Sequence, residues 1–268
     1  MPEGAEVKSF GVSLNNYCKG KTLVDISVLS GRYTKKEIVG LSNFKNKLPI
    51  KINGVNVRGK FIWFCFDQDC YMYSTLGMTG HWGVKNKKHS RLKMTFSDGS
   101  FVYYTDVRNF GTLKIVFSEE ELKDKLKTLG PDMLSEDVTY QDFKSRIKKK
   151  SHWSVAKAIM NQSVISGVGN YVKAEALWRS KLSPHRKVSS LTDLEIRVLN
   201  KNIKQVLRDS YKNGGATIKN YKSFGGSSGS YSRRFAVYNQ SKDPNGLKVI
   251  RQKTDDGRTT HWVPEIQK

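Results

Sequence analysis

The segment 153–181, WSVAKAIMNQSVISGVGNYVKAEALWRSK, contains the change of pattern that decides the fold. Apolar residues recur at helical spacing over residues 154–162 and again over residues 171–181, and a glycine-containing turn at residues 167–170 separates the two runs. Pro184 ends the second run. The segment therefore predicts two helices joined by a turn, and a helical core in the second half of the chain.

The remainder of the second half predicts a third helix, a loop and a hairpin. A capping box at Thr192 begins a helix that runs to the glycine pair at residues 214–215. Residues 222–232 are rich in Gly and Ser and predict a mobile loop. The Asp-Gly pair at residues 256–257 predicts a hairpin turn between two short strands, with Arg258 at the tip.

The first half predicts short strands. Apolar runs indicate strands at residues 22–29, 51–57, 61–66, 71–76, 92–96 and 101–105. Asn-Gly at residues 53–54 and Asp-Gly at residues 98–99 indicate hairpins among them. Short, evenly spaced strands predict a sandwich or a barrel. A capped helix then ends at the Gly-Pro pair at residues 130–131, which marks a domain edge, and residues 131–150 predict a linker.

The charge of the chain indicates a polyanionic partner. Lys and Arg number 47 against 24 acidic residues, giving a formal net charge of +23 and a pI near 9.9. No apolar run reaches the length of a membrane span and no signal peptide opens the sequence, so we expect an intracellular protein, nuclear or cytoplasmic. Cys18, Cys65 and Cys70 are too few and too irregularly spaced for a disulfide framework or a four-cysteine zinc site. We expect no cofactor.

The amino-terminal residues Met-Pro-Glu-Gly-Ala-Glu at positions 1–6 carry candidate chemistry. Removal of Met1 would leave a secondary amine on Pro2, and its condensation with an aldehyde gives a permanently charged iminium ion that favours elimination. Apolar residues at helical spacing follow, so Pro2 would lie at a helix N-terminus with Glu3 beside it as a proton carrier. An exposed helix start is the alternative explanation of the same residues.

These features resemble the motifs of the formamidopyrimidine-DNA glycosylase and endonuclease VIII family, whose members excise oxidised bases and nick the strand. The matching segments, in the family's order, are residues 2–6, 58–60, 76–80, 106–111, 129–131, 167–170 with Glu175, and 257–261. The resemblance implies an α+β fold. Its parts would be an N-terminal catalytic β-sandwich domain at 1–130, the linker at 131–150, a helix-two-turn-helix domain at 151–232 and a β-hairpin finger at 233–268.

The resemblance implies roles at the sugar of a damaged nucleotide in double-stranded DNA, with the protein acting as a monomer. Pro2 would attack C1′, Glu3 would move protons, and β- and δ-elimination would cut the strand at the resulting abasic site. Lys60, Asn170 and Arg258 match residues that hold phosphates beside the lesion, and Lys60 and Arg258 belong with the catalytic residues. A solvated lysine, a turn-forming asparagine and a solubilising arginine are the alternative explanations.

A second group of residues matches those that contact the DNA around the lesion. Met78, Arg108 and Phe110 correspond to side chains that fill the space left when the damaged nucleotide leaves the stack. Strand core would explain Met78 or Phe110 equally well. Glu6 and Glu175 correspond to acidic residues that line the site, with helix-surface salt bridges as the alternative.

The finger departs from the family pattern. Most members hold it with four cysteines that bind zinc, whereas this chain has Lys242, Asn245, Val263 and Ile266 at those places. The resemblance therefore implies a zincless finger. Apolar packing would replace the metal, with Phe235, Val237, Ile250 and Trp262 as the candidate residues.

Two signals for lesion preference conflict. Gly4 resembles the endonuclease VIII branch, which prefers oxidised pyrimidines. Residues 215–238 are about as long as the base-capping loop of the 8-oxoguanine branch. We give more weight to Gly4 and the zincless finger, and so expect a preference for oxidised pyrimidines.

Two other classes of protein fit the charge. A basic protein that binds damaged or bent DNA without cutting it needs only Lys and Arg. A ribosomal or RNA-binding protein would prefer A-form or single-stranded RNA. The set Met78, Arg108 and Phe110 favours duplex DNA, and amine chemistry at Pro2 would distinguish the enzyme from the non-catalytic binder.

Overall fold

The computed structural model describes residues 2–216 and 229–268, which form two units. The first consists mainly of residues 6–128 and includes Pro2, and the second consists of Glu3–Ala5, Leu129–Ala216 and Ser230–Lys268. The Gly-Pro pair at residues 130–131 lies next to the boundary between the units. Within the described residues, no helix is both long and apolar enough to cross a membrane.

The first unit is an antiparallel sheet with most of one helix in its core. Its elements are α1 (Gly4–Cys18), β1 (Thr22–Val28), α2 (Leu41–Lys45), β2 (Ile50–Arg58), β3 (Phe61–Phe66), β4 (Tyr71–Thr75), β5 (His81–Gly83), β6 (Ser90–Phe96), β7 (Phe101–Thr105), β8 (Thr112–Val116) and α3 (Glu119–Lys127). The strand order is β5-β7-β6-β1-β2-β3-β4-β8. Val7, Phe10 and Leu14 of α1 are buried in the core of this sheet, as their helical spacing predicts.

The sheet folds over itself and so forms the predicted sandwich. Four strands separate β5 from β3 in the strand order, which in a flat sheet would place them about 24 Å apart. The rings of Phe64 on β3 and Trp82 on β5 nevertheless have centroids only 5.0 Å apart. β1 and β2 are joined by only two residue pairs, Thr22 with Lys51 and Leu23 with Ile50. The two halves of the sheet therefore enclose one core.

Some details of the sheet differ from the sequence prediction. The Asn-Gly pair at residues 53–54 lies inside β2, where the register with β3 shifts between Ile52 and Gly54, so it forms a bulge and not a hairpin turn. The Asp-Gly pair at residues 98–99 does form the predicted turn between β6 and β7. Strands β5 and β8 were not predicted. β5 has only three residues, too few for a recognisable alternation.

The second unit contains four helices and a hairpin. The helices are α4 (Tyr140–Lys148), α5 (Val155–Met160), α6 (Asn170–Arg179) and α7 (Asp193–Lys212). The capping box at the start of α7 is complete, because Thr192 and Glu195 each bond the main chain of the other. Every residue from Tyr171 to Leu177 of α6 is buried. α6 is therefore the central helix of the unit.

The segment predicted as a linker, residues 131–150, folds within the second unit. Phe143 and Ile147 of α4 are fully buried, and Nζ of Lys144 lies 2.6 Å from a carboxylate oxygen of Asp193 on α7. A short helix with two apolar residues on one face looks weakly patterned in the sequence. It is nonetheless enough to bury that face against a larger helix.

The hairpin consists of β9 (Ile250–Lys253) and β10 (Thr259–Trp262), paired from Lys253 with Thr259 to Ile250 with Trp262. Val237, Val249 and Val263 pack with Ala174 of α6 in a small core beside it. Of the candidate packing residues, Val237 belongs to this core, whereas Phe235 contacts Tyr171, Tyr231 and Tyr238 instead. The predicted loop falls largely on residues 217–228, which lie outside the described residues.

Candidate active site

The start of helix α6 holds Glu3. Oε1 of Glu3 accepts a hydrogen bond from the Tyr171 N–H at 2.8 Å, and Oε2 accepts one from the Val172 N–H at 3.2 Å. First-turn N–H groups have no partner within their own helix, and the positive end of the helix dipole attracts a carboxylate. Glu3 is only 2% exposed. Its carboxylate is therefore fixed in one position.

The glycine turn before α6 is shaped to receive residues 3 and 4. A Cβ atom at Gly169 would lie 2.2 Å from Cδ of Glu3, and one at Gly4 would lie 2.9 Å from Cα of Gly167. The Gly4 N–H donates to the Gly167 carbonyl at 2.8 Å. Gly167 has a φ of 97°, which favours glycine. Gly4 therefore has a packing reason that is independent of any lesion preference.

A buried ion pair supports the tip of the hairpin. Lys173 of α6 places Nζ 2.5 Å from Oδ2 of Asp256, and both side chains are almost completely buried. Oδ1 of Asp256 accepts hydrogen bonds from the Thr254 hydroxyl at 2.5 Å and from the Arg258 N–H at 3.1 Å. The Arg258 side chain itself is exposed at the predicted tip. The carboxylate thus connects α6 to the main chain of Arg258.

The charges in this cluster influence each other. Burial lowers the pKa of the Lys173 ammonium, and Asp256 and Glu3 act in the opposite direction. Burial acts to raise the pKa of Asp256, but the hydrogen bonds from Lys173 and Thr254 outweigh it and hold that pKa below its usual value. The pair is therefore best described as an ammonium and a carboxylate.

Asn170 joins the start of α6 to the hairpin. Its Nδ2 donates to the carbonyl of Thr259 on β10 at 2.9 Å. Asn170 is half-buried, and Thr259 follows Arg258 directly. The second unit therefore brings three predicted site residues, Glu3, Asn170 and Arg258, to the same end of α6.

Glu175 lies inside the second unit and not on the surface of α6. Its side chain is fully buried, and its carboxylate accepts hydrogen bonds from the main-chain N–H groups of Ala236, Val237 and Tyr238 at 2.9–3.0 Å. Its burial excludes a helix-surface salt bridge, whereas the site-lining role stays a prediction. Glu175 is a structural anchor, because both oxygens hold the segment that leads into the hairpin.

In the first unit, two loops bring Met78, Arg108 and Phe110 together. Nη1 of Arg108 lies 3.5 Å from Sδ of Met78, and Phe110 is 60% exposed. Asp106 is buried beneath the loop and accepts hydrogen bonds from the Thr79 hydroxyl at 2.5 Å, from the Arg108 N–H at 3.3 Å and from the Gly111 N–H at 2.8 Å. The exposed ring of Phe110 excludes the strand-core explanation for that residue.

Three further predicted residues also belong to the first unit. Pro2 and Glu6 are buried, Pro2 two residues before the start of α1 and Glu6 within it. Lys60 is half-buried in the two-residue turn between β2 and β3. Gly59 precedes it with a φ of 58°, a conformation that favours glycine and lets Lys60 stand at the turn.

The four places that carry zinc-binding cysteines in most family members lie in a hairpin region held by apolar packing and by the carboxylate of Asp243. Val263 is fully buried in the small core, and Ile266 packs against it. Asp243, next to Lys242, accepts hydrogen bonds from the Asn245 and Leu247 N–H groups, both at 2.9 Å. Among residues 2–216 and 229–268, no group of three or more His, Cys, Asp or Glu side chains is arranged to bind a metal.

Sequence reasoning missed the buried anchors. Roles were assigned from the sequence to the exposed neighbours of Asp106 and Asp256 but not to these aspartates. No role was assigned to Lys173. One signal was available for Lys173: it interrupts a run of mostly apolar residues on a helix that is otherwise buried. A lysine at such a position requires a partner.

Comparison with known proteins covers almost the entire chain. The model of the formamidopyrimidine-DNA glycosylase N-terminal domain matches residues 1–113, that of the H2TH domain matches residues 129–222, and that of the C-terminal domain matches residues 232–268. The chain is 33% identical to the formamidopyrimidine-DNA glycosylase of Bacillus licheniformis over 279 aligned residues, covering 100% of both proteins. It is 31% identical to that of Ligilactobacillus salivarius, covering 100% of this chain and 99% of the relative.

Solved structures give the same result for the fold. The MutM (Fpg) protein of Thermus thermophilus superimposes with a TM-score of 0.88 at 29% identity, covering 99% of this chain and 98% of that one. A Lactococcus lactis Fpg mutant, in complex with DNA containing Fapy-dG, also has a TM-score of 0.88, at 27% identity and 100% coverage of both chains. Another Lactococcus lactis Fpg mutant was solved with DNA containing THF.

Proposed function

Because the chain belongs to the formamidopyrimidine-DNA glycosylase family, we propose that it excises oxidised bases from duplex DNA in base excision repair and cuts the strand at the abasic site. The family is one of DNA glycosylases with lyase activity. The net charge of +23 suits a DNA ligand. The observation that carries the proposal is the Glu3 carboxylate, fixed by the first-turn N–H groups of α6 next to the amine-bearing residue.

The proposed reaction begins at Pro2. Its free nitrogen forms a bond to C1′ as the bond from C1′ to the base breaks, and the base leaves with the electron pair. Opening of the sugar ring gives an iminium ion, whose positive charge makes the C2′ protons acidic. Loss of such a proton expels the 3′-phosphate, and a second elimination expels the 5′-phosphate. Glu3 moves protons between these steps, which requires a carboxylate held in one place.

Three residues are proposed to hold the DNA backbone around the reacting sugar. Arg258 is exposed at the hairpin tip, and Asn170 lies at the start of α6, where N–H groups favour anions. Lys60 stands in a tight turn of the first unit. We assign one flanking phosphate to Arg258, and assign phosphate contacts beside the lesion to Lys60 and Asn170.

Met78, Arg108 and Phe110 are proposed to replace the extruded nucleotide. Extrusion costs a few kcal/mol, which filling of the vacated space offsets. An exposed phenylalanine ring is suited to wedge between bases, and the neighbouring Arg108 is suited to bond the orphaned partner base. The rigid support that Asp106 gives to this loop is consistent with such a task.

Lesion preference is the finer part of the proposal. Oxidised pyrimidines remain our first candidate because the finger departs from the four-cysteine pattern, although packing against Gly167 already accounts for Gly4. Oxidised purines are the second, because a similar Lactococcus lactis protein was solved with a Fapy-dG lesion. A panel of duplexes that each carry one oxidised base distinguishes them, and faster excision of 8-oxoguanine than of thymine glycol would reverse the order.

The test of the reaction is borohydride trapping. Protein with a free Pro2 should form a covalent complex with DNA that contains an abasic site, and Pro2→Gly should cut far more slowly. Glu3→Gln should abolish base excision but leave some cleavage of ready-made abasic sites. If the protein with a free terminus binds abasic-site DNA but neither cuts it nor is trapped, and an acetylated terminus binds equally well, the alternative is supported, a basic protein that binds damaged DNA without catalysis.

A further inference from the structure

Lys173 is the most deeply buried Lys or Arg side chain among the described residues. It has 0% exposure and is the fourth residue of the central helix α6. Its Nζ contacts Asp256 at 2.5 Å and the Thr254 hydroxyl at 3.5 Å. Burying an ammonium requires such partners, since an unpaired charge in this position would be very costly. Nothing in the proposed chemistry uses this lysine.

The two carboxylate oxygens of Asp256 have different partners. Oδ2 binds Lys173, and Oδ1 accepts from the Thr254 hydroxyl and from the N–H of Arg258. The Thr254 N–H in turn donates to the Arg258 carbonyl at 2.9 Å, and the Thr254 hydroxyl lies 3.0 Å from that carbonyl. Both main-chain polar groups of Arg258 are thus bonded to this small network.

Stability alone is a weak reason for such an arrangement. Removing two charges from water costs about as much as their attraction returns, and an apolar pair of similar volume is often equally stable. An apolar pair, however, forms no hydrogen bonds and so does not orient the groups around it. The carboxylate fixes where the Arg258 N–H points, and Lys173 fixes the carboxylate to a rigid helix.

We propose that Lys173 and Asp256 are positioning residues, which hold the main chain of Arg258 so that its guanidinium meets the DNA phosphate beside the lesion. This inference rests on the proposed function, in which Arg258 binds that phosphate. Glu3 is held by the first turn of the same helix, so α6 sets the positions of both Glu3 and Arg258.

The test is a mutant cycle on cleavage of duplex DNA that contains an abasic site. In Lys173→Met/Asp256→Leu the buried charges are removed together, so the protein should melt close to the wild-type temperature. Its single-turnover cleavage rate should nevertheless fall by about 10- to 100-fold, as expected for a misplaced binding group. Added to Arg258→Ala, the double substitution should cause less than a twofold further loss, because it acts through Arg258.

Asp256→Ala provides a second route if the double variant does not fold, measured well below its own melting temperature and again with and without Arg258→Ala. Asp255→Asn is the matched control. It removes the same charge one residue away, from a side chain that accepts a bond from Ser154, and should cleave within twofold of wild type.

The outcomes distinguish the proposed role of Arg258 from the positioning role of Lys173 and Asp256. If the wild-type protein neither cleaves nor is trapped, or if Arg258→Ala cleaves normally, the role of Arg258 fails and the positioning role fails with it. If Arg258→Ala is impaired while the folded Lys173 and Asp256 variants cleave like wild type, only the positioning role is overturned. The positioning role is also overturned if the Lys173 and Asp256 substitutions reduce the cleavage rate of Arg258→Ala by the same factor as they reduce that of the wild type.

Discussion

The loop at residues 106–111 in the first unit and the hairpin tip at residues 254–258 in the second share one hydrogen-bonding arrangement. In each, a buried aspartate accepts a threonine hydroxyl at 2.5 Å and the N–H of an exposed arginine two residues later in the chain. Asp106 serves Arg108, and Asp256 serves Arg258. Exposed arginines proposed to contact DNA are thus held through their main chain, while their side chains stay available.

The two anchors differ in how the second carboxylate oxygen is satisfied. Asp106 accepts the Gly111 N–H, so the loop is closed by its own main chain. Asp256 binds the ammonium of Lys173, which belongs to helix α6. The second oxygen of Asp106 is therefore satisfied within its own loop, whereas that of Asp256 fastens the hairpin tip to a separate rigid helix. A hairpin of two four-residue strands needs such an external support.

The largest expected difference between the anchors is in stability. Asp256→Ala leaves Lys173 buried without its counter-charge, which should cost about 3–5 kcal/mol. Asp106→Ala leaves a hydroxyl and two N–H groups with lost partners, and should cost about 1–3 kcal/mol. Free energies of unfolding from chemical denaturation measure both. Equal losses would mean that the cation contributes nothing to the difference between the two anchors.

Lys173→Met added to Asp256→Ala should sharpen the result. It removes the stranded charge, so most of the stability lost in Asp256→Ala should return. A double variant that is less stable than Asp256→Ala would contradict the description of this pair as a buried ion pair.

Phe110→Ala should reduce activity without reducing stability. The ring is exposed, so its removal leaves the free energy of unfolding within about 0.5 kcal/mol of wild type. Excision of a lesion from duplex DNA should fall by about 10- to 100-fold, the value of one lost base–aromatic contact of about 1–3 kcal/mol. Cleavage of a single-stranded abasic site, which needs no wedge, is the internal control. A similar loss on both substrates would contradict the wedge.

The comparison also shows which parts of the site a sequence can reveal. The tip position of Arg258 was predicted because an Asp-Gly turn is a local pattern, and Phe110 was predicted because residues 106–111 match a short motif of the family. Their anchors were not predicted, although both lie in the same motifs. Whether Asp106 or Asp256 is buried depends on contacts with distant elements, such as Lys173, which is more than eighty residues from Asp256 in the chain.

The same distinction applies to the fold. The complete capping box at Thr192 and the hairpin β9–β10 follow from neighbouring residues, and the structure contains both. The Asn-Gly pair at residues 53–54 was interpreted as a turn because it fits that pattern, yet the strand continues through it with a bulge. Pairing of β2 with β3 from Ile52 to Arg58 outweighs the local preference, and the sequence of β2 alone does not contain that information.

The hairpin should also be the more acid-sensitive of the two regions. His261 on β10 is 5% exposed, and burial, followed by the charges of Arg251 and Lys173, lowers its pKa to about 4. The unfolded chain, with a histidine pKa near 6.5, binds this proton first, so folding stability contributed by neutral His261 is lost as the pH falls from about 6.5 to 4. His261→Phe should flatten the decline by up to about 2 kcal/mol in denaturation curves at pH 7 and pH 4.5. An unchanged decline would assign the acid sensitivity to other groups.

The smallest expected effect is on the salt dependence of DNA binding, which should differ between variants of Arg108 and Arg258. If Arg258 neutralises a phosphate, Arg258→Ala should reduce the slope of log affinity against log salt by about 1, because one fewer counterion is released. Arg108 is proposed to bond a base, so Arg108→Ala should weaken binding with little change in that slope. Titration of each variant with abasic-site DNA over a range of salt concentrations measures both. Equal changes of slope would mean that both arginines bind phosphates. Asp106 and Asp256 would then each position an arginine for the same kind of contact.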